Sequence, residues 1–169
     1  MIVIRPTTLL FLWICCNPVA ASGVVYQYED DEERASLIPA VLNFEQEMKQ
    51  AGKPIMVEFS TPWCAYCEAL EVEILEPLIR SDKYSDAIII RKLQIDTYSD
   101  VIGFDGKRYK TAEFSRKYGV DLYPTLVFFD AEGREISQRV VGITVLDYVA
   151  EAVDKAIEEA ISEAPAHSN

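Results

Sequence analysis

The sequence predicts a single α/β domain. Its length of 169 residues, half of them hydrophobic, is sufficient for one domain with a substantial core. Short β-branched and aromatic runs alternate along the chain with stretches whose apolar residues recur at helical spacing. One of the apolar runs leads directly into two cysteines that are separated by two residues. This order favours a sheet flanked by helices, with chemistry at the end of one strand.

The first half of the domain is predicted to run helix, strand, helix. Apolar spacing predicts a helix over residues 36–51, which Gly52 ends. The run 55–59 predicts a buried strand. The next helix is expected to begin at about Trp63 and to be bent or interrupted at Pro77, because proline cannot donate a helical hydrogen bond.

The second half contains an insertion between regular elements. Residues 87–95 predict a strand, and an Asp-Gly pair inside residues 102–109 predicts a small hairpin. Thr111 is expected to cap a short helix over 112–118 that Gly119 closes. The remaining predicted elements are strands at 126–130 and 136–141 and an amphipathic helix at 144–161.

Residues 1–21 are interpreted as an export signal. Arg5 supplies the positive charge, an apolar core follows, and the small residues up to Ala21 form a cleavage site. Cleavage there would leave an acidic linker over 22–35, a domain over 36–161 and a flexible tail over 162–169. We therefore expect a periplasmic location, in an oxidising compartment.

Two other interpretations of the N-terminus are weaker. A membrane anchor would need roughly 20 apolar residues, and this run is far shorter. A lipoprotein would use Cys15 or Cys16, but Ile14 stands where a small residue normally precedes the lipidated cysteine. Cleavage after Ala21 would remove both of these thiols.

Cys64 and Cys67 are the candidate chemical centre. A helix start beside Cys64 would supply unpaired N–H groups and the positive end of the helix dipole, which lower a thiol pKa and favour a nucleophilic thiolate. Cys67 lies nearly one turn further on the same helix face, close enough to close a disulfide with Cys64. The pair is interpreted as a two-electron redox switch.

Structural roles fit this pair less well. A disulfide across two residues closes a very short loop and removes little chain entropy, so it would stabilise weakly. A structural zinc site needs four N or S ligands, whereas the chain offers this one CxxC and a single histidine, His167. We expect no metal, and no cofactor other than the redox-active disulfide.

The acidic composition excludes one class of partner. The formal net charge is −12 at pH 7, and no basic patch is large enough to neutralise nucleic-acid phosphates. The short basic cluster at 107–110 is interpreted as a solvated loop. We expect no nucleic-acid partner.

The order of elements and the Trp-Cys-x-x-Cys sequence resemble thioredoxin over roughly residues 36–161. Glu58 stands where thioredoxins carry a buried Asp behind the cysteines. Lys92 matches the lysine that neighbours that acid. Pro124 matches the proline that is cis in this fold and faces the cysteine pair, and Gly142 matches a glycine on the substrate-docking rim.

Two further sequence motifs make the resemblance more specific. Phe-Asp-Gly-Lys at 104–107, followed by a helix and Lys-Tyr-Gly-Val at 117–120, is similar to the SoxW-type periplasmic thioredoxins. The C-terminal domain of the membrane reductase DsbD is a more distant likeness. The resemblance implies a thioredoxin fold with a central mixed β-sheet flanked by helices, here with a small hairpin-like insertion.

The resemblance also suggests roles for the site residues. Cys64 would attack a substrate disulfide and Cys67 would resolve the mixed disulfide. Glu58 would accept the Cys67 proton, and Lys92 would tune the charge of that acid. The alternative for Glu58 is an outward-facing strand residue without a catalytic role.

An apolar rim around the cysteines is expected to contact partners. Its members are Trp63, Ala65, Tyr66, Tyr123, Pro124 and Ile143; Thr125 and Gly142 are further candidate substrate-binding residues. Ala65-Tyr66 replaces the Gly-Pro of thioredoxin, and Tyr123 is bulkier than the usual residue before this proline. For Tyr123, a surface aromatic that packs on Trp63 is an equal alternative.

Three functions remain open. The leading one is a monomeric periplasmic reductant of protein disulfides, kept reduced by a membrane electron donor of the DsbD or CcdA kind. The resemblance implies substrates such as oxidised cysteines of cytochrome c maturation or sulfur-metabolism proteins. The alternatives are a disulfide oxidase or isomerase, and a non-catalytic binding or copper-handling module, for which extra His or Met ligands near the pair are absent from the sequence.

Overall fold

The computed structural model of the protein describes residues 36–143 and 145–164. The expected export signal and acidic linker lie outside the described residues, as do residues 165–169 of the expected tail. In chain order the elements are α1 (Phe44–Ala51), β1 (Ile55–Ser60), α2 (Ala65–Leu70), a π-helical segment (Glu71–Leu75), α3 (Glu76–Arg80), β2 (Ile89–Gln94), β3 (Asp100–Ile102), β4 (Arg108–Lys110), α4 (Thr111–Lys117), β5 (Thr125–Phe129), β6 (Val140–Val141) and α5 (Leu146–Glu163).

The main sheet is mixed, with the strand order β2-β1-β5-β6. β1 pairs in parallel with β2 and antiparallel with β5, and β5 pairs antiparallel with β6. Every residue of β1 is buried, as expected for a central strand covered on both faces. The predicted α/β class and the mixed sheet are therefore confirmed.

Alternation along β1 divides the core into two layers. Met56 faces the layer built with α2, the π-helical segment and α5, whereas Val57 and Phe59 face the layer built with α1 and α4. Glu58 has the same parity as Met56, so its side chain lies on the face covered by α2. This placement sets a carboxyl group behind the helix that carries the cysteines.

The predicted helix over 36–51 is wrong in its first half. α1 begins only at Phe44, after Asn43, whose side chain accepts a hydrogen bond from the Gln46 N–H as the N-cap. Residues before it run beside β2, where Lys92 donates its N–H to the Pro39 carbonyl. Pro39 disfavours a helix interior, so it overrides the helical spacing of its neighbours.

The helix after the cysteines is interrupted just before Pro77. The π-helical segment Glu71–Leu75 separates α2 from α3, and Pro77 occupies the first turn of α3. Proline lacks the N–H that would continue the α-helical pattern, and a wider turn before it accommodates that loss. None of the helices in the described ranges is long and apolar enough to cross a membrane.

The insertion forms the predicted hairpin. β3 and β4 pair antiparallel, and between them Phe104 packs on the rings of Phe44 and Phe129 at centroid distances of 4.7 and 5.2 Å. The insertion is thus joined to the core through α1 and β5. Thr111 is the first residue of α4 and not its cap, because its hydroxyl donates to the Asp96 carbonyl.

The last two elements differ from prediction in length. The predicted strand over 136–141 is regular only as β6, although Ile136 still donates its N–H to the Phe128 carbonyl. α5 begins at Leu146 and continues to Glu163, beyond the predicted end at residue 161.

Candidate active site

β1 delivers the cysteines to one edge of the sheet. After Ser60 the chain turns through Thr61 and Pro62, and Trp63 adopts the left-handed conformation, with φ of +60°. Cys64 is the N-cap of α2, so the helix begins at Ala65 and not at Trp63 as the sequence predicted. The reason is conformational, because a residue with positive φ cannot be part of a right-handed helix.

Cys64 and Cys67 form a disulfide with a Cα–Cα distance of 5.2 Å. Cys64 is half-buried and Cys67 is only 2% exposed, so an incoming sulfur can reach Cys64 alone. The Cys67 N–H donates to Cys64 Sγ at 3.2 Å. In the reduced protein the same donor and the start of the helix would stabilise a Cys64 thiolate.

Glu58 is fully buried behind this helix. Neither of its carboxyl oxygens has a hydrogen-bond partner among the described residues. Burial raises the pKa of Glu58 to about 8; the charge of Glu71 and the closeness of its carboxyl group add to this rise, while Lys92 acts in the opposite direction. A buried acid without partners is costly to keep, which is why such groups mark functional sites.

Glu71 is the residue that sequence reasoning missed. It lies one turn after Cys67, donates its N–H to the Cys67 carbonyl, and is 5% exposed. Lys92 donates to Glu71 Oε1 at 2.5 Å, although Lys92 is the register partner of Glu58 across β1 and β2. Its position four residues after Cys67 is a weak signal in the sequence, because several other acids stand in the same stretch of helix.

A second loop meets the cysteines at the same edge of the sheet. Phe59 and Thr125 are paired in register, so the end of β1 and the start of β5 emerge side by side. The Tyr123–Pro124 peptide bond before β5 is cis. The Gly142 N–H donates to the Pro124 carbonyl at 2.8 Å, which brings the expected docking glycine next to this loop.

Only some residues of the expected rim are exposed. Trp63 is 99% exposed and Tyr66 66% exposed, and Ala65 lies open between them. Gly142 and Ile143 are half-buried. Pro124 and Thr125 are buried, and the Thr125 hydroxyl donates to the Leu122 carbonyl, so Thr125 braces the loop and is not part of the exposed rim.

Tyr123 does not pack on Trp63, which is exposed almost completely. Its ring packs instead against the layer that contains Phe59 and Phe114. The phenol oxygen lies 2.9 Å from the hydroxyl of Ser115. The alternative in which Tyr123 packs on Trp63 is therefore wrong: the ring turns into the protein, although the residue is only half-buried.

The chain matches the family model described as Thioredoxin-like domain over residues 44–157. Among similar proteins, the protein disulfide isomerase-like 2-2 of Oryza sativa subsp. japonica is 36% identical over 52% of this chain and 20% of its own length. The disulfide bond reductase DsbH of Chlamydia pneumoniae is 27% identical over 77% of this chain and 78% of its own length.

Solved structures agree in fold. The oxidised mitochondrial thioredoxin 3 of Saccharomyces cerevisiae superposes with a TM-score of 0.50 at 21% identity, over 72% of this chain and 93% of that one. The alignments with the disulfide-isomerase relatives span about a fifth of those longer proteins.

Proposed function

The chain belongs to the thioredoxin-like domain family, and from that premise we propose that it is a thiol–disulfide oxidoreductase that reduces protein disulfides in the bacterial periplasm. In this proposal it acts as a monomer of the SoxW type after removal of its export signal. A membrane donor of the DsbD or CcdA kind returns the pair to the dithiol.

The observation that carries the reducing direction is the buried acid pair behind the cysteines. Glu71 lies one turn from Cys67, and Glu58 lies on the strand face beneath the same helix. Glu71 compensates the charge of Lys92, so this lysine does not stabilise a thiolate at the pair, and the ionised form of Glu58 disfavours one. A pair whose thiolate form is poorly stabilised gives up electrons readily, whereas strong oxidants owe their potential to a stabilised reduced form.

The first half of the reaction takes place at Cys64. The Cys64 thiolate attacks one sulfur of the substrate disulfide, which forms a mixed disulfide and releases one substrate thiolate. The Cys67 N–H and the N-terminus of the helix favour the charged form of Cys64 before the attack. Cys67 is only 2% exposed, so it remains covered against thiols in solution at this stage.

The second half needs a proton acceptor. With a pKa of about 8, Glu58 exists in both forms near neutral pH, and its ionised form accepts the Cys67 proton, directly or through a water molecule; the Cys67 thiolate then attacks Cys64 Sγ. This step closes the Cys64–Cys67 disulfide and releases the second substrate thiolate, so two electrons have passed to the substrate. A Glu58 pKa of about 8 lies near that of a thiol, which makes the transfer nearly balanced in free energy.

The test is the equilibrium reduction potential of the pair, measured by titration of the chain from Ser22 against dithiothreitol or glutathione. The proposal expects a value near about −270 mV, as for thioredoxin. A value of about −120 to −180 mV, the oxidase and isomerase range, would contradict it.

A second experiment separates a redox enzyme from a binding module. Cys67→Ser should accumulate mixed disulfides with substrate proteins, because the resolving thiol is missing. Cys64→Ser is the matched control and should accumulate few, since Cys67 is covered. If neither variant forms such adducts, the chain is not a disulfide exchanger.

Isomerisation is the second candidate. It is favoured by the relatives named disulfide isomerases, which are 36% and 32% identical over about half of this chain. An isomerase would show an intermediate reduction potential. It would also rearrange scrambled disulfides without net consumption of reductant, and Cys64→Ala would abolish that rearrangement. The same titration therefore discriminates the two candidates.

A further inference from the structure

The side chain of Tyr123 is held by a hydroxyl that lies inside the protein. Ser115, in the middle of α4, is 1% exposed. Its Oγ lies 2.6 Å from the Val120 carbonyl oxygen and 2.9 Å from the Tyr123 phenol oxygen. A buried side chain thus connects α4 with two points of the loop that leads to Pro124.

The direction of these two hydrogen bonds follows from the donor inventory. A carbonyl oxygen can only accept, so the single Ser115 proton is directed to Val120. The phenol of Tyr123 must then donate to Ser115 Oγ. The result is an ordered chain from Tyr123 to Ser115 to the Val120 carbonyl, in which each hydroxyl donates once.

The chain of hydroxyls acts on the part of the loop that faces a substrate. Tyr123 supplies the peptide group before Pro124, at the start of β5, where Thr125 pairs with Phe59 near the end of β1. With its phenol bonded inward, the ring packs against the layer that contains Phe59 and Phe114, and Trp63 stays exposed. Without the Ser115 hydroxyl, the phenol would lose the acceptor that it has here, and the ring would gain by turning outward to water.

We propose that Ser115 is a positioning residue for substrate docking, which keeps Tyr123 turned into the protein and the peptide before Pro124 open to a substrate polypeptide. The inference rests on the proposed disulfide-reducing function. Ser115 does not contact substrate or the reacting sulfurs; it acts through Tyr123. The expected deficit is therefore in the docking of large substrates and not in the sulfur chemistry.

The experiment compares Ser115→Ala with the wild type in the reduction of insulin by dithiothreitol. We expect KM for insulin to rise about tenfold, the effect of one buried hydrogen bond, with kcat within about twofold. The reduction potential should be unchanged, because the surroundings of the cysteines are the same. Wild-type KM in Ser115→Ala would overturn the inference.

Two further variants distinguish positioning from general stability. Tyr123→Phe removes the hydroxyl that would seek water, so Ser115→Ala should raise KM less in the Tyr123→Phe background than in the wild type. Thr111→Val removes another buried α4 hydroxyl, which bonds to Asp96, and should lose stability without a change in KM. Additive KM effects would overturn the inference, whereas a wild type inactive on insulin would count against the proposed function itself.

Discussion

Lys92 Nζ lies 2.5 Å from Glu71 Oε1, although Lys92 stands beside Glu58 in the register of β1 and β2. The lysine is half-buried and its charge is compensated by Glu71. Glu58 is left in the core without a hydrogen-bond partner among the described residues. This division makes Glu58 the group that holds a proton at neutral pH and Glu71 the group that holds the lysine.

The first prediction follows from the opposite actions of these two neighbours. Glu71→Gln should lower the pKa of Glu58 by roughly one unit, because a like charge is removed. Lys92→Met should raise the pKa of Glu58, because an opposite charge is removed. The measurement is the carbon chemical shift of the Glu58 carboxyl group as a function of pH.

Glu73 offers the matched control for that titration. It belongs to the same π-helical segment but is exposed, so Glu73→Gln should leave the midpoint of Glu58 where it is. A shift of the same sign in both Glu71→Gln and Lys92→Met would show that Glu58 responds to altered packing and not to the two charges.

The second prediction concerns stability and pH. Since burial raises the pKa of Glu58 from 4.5 to about 8, the folded state binds a proton that the unfolded state has lost between these values. The contribution of this group is fully present below about pH 4.5 and declines by up to about 1.4 kcal/mol per pH unit as pH rises to about 8.

Glu58→Gln should remove this dependence. Urea unfolding at a series of pH values, with wild type and variant compared at each, cancels the groups that both proteins share. The difference in unfolding free energy should change steadily between pH 5 and 8, because the wild type becomes less stable relative to the variant as pH rises. Parallel curves would mean that Glu58 is charged or solvated in the folded protein.

The burial of Glu58 behind the cysteines could be predicted from the sequence, whereas the burial of Glu71 could not. An acid inside a run of strand residues is conspicuous, because a central strand has no exposed face. Glu71 is one of several acids in its helix, and which of them is buried depends on the π-helical segment and on how the helix lies over β2. Neither is determined by local spacing.

The same limit explains the other differences. The segment before Asn43 has helical spacing, but it pairs beside β2, and a tertiary contact overrides local preference there. The hairpin at β3 and β4 was predictable because an Asp-Gly turn is a local signal. The inward bond of Tyr123 to Ser115 joins residues eight positions apart on different elements, and no sequence pattern marks it.

The third prediction tests how the insertion is fixed to the core. Gly133 has φ of +76°, and a Cβ there would lie 2.5 Å from the Phe104 ring. Gly133→Ala should therefore lower the free energy of unfolding by about 2–4 kcal/mol, from backbone strain together with displacement of a packed aromatic ring. Chemical denaturation measures the loss.

Gly119 provides the control for that variant. It has a similar φ of +63°, but a Cβ there meets nothing within 4 Å. Gly119→Ala should lower the free energy of unfolding by about 1 kcal/mol, the backbone cost alone. Equal losses in the two variants would contradict the view that Phe104 is tightly packed against Gly133.

The last prediction concerns Trp63, whose ring is 99% exposed and whose backbone is left-handed. Trp63→Gly should leave stability unchanged or raise it by up to about 1 kcal/mol, because the strain is removed and no buried contact is lost. The same change should raise KM for insulin, since an exposed aromatic beside the nucleophile is a docking group.

Asp82 is the control: it also has positive φ, +54°, but lies at the end of α3, so Asp82→Gly should match the stability effect with unchanged KM. Unchanged KM in Trp63→Gly would mean that the strained conformation serves only to place Cys64 at the start of α2.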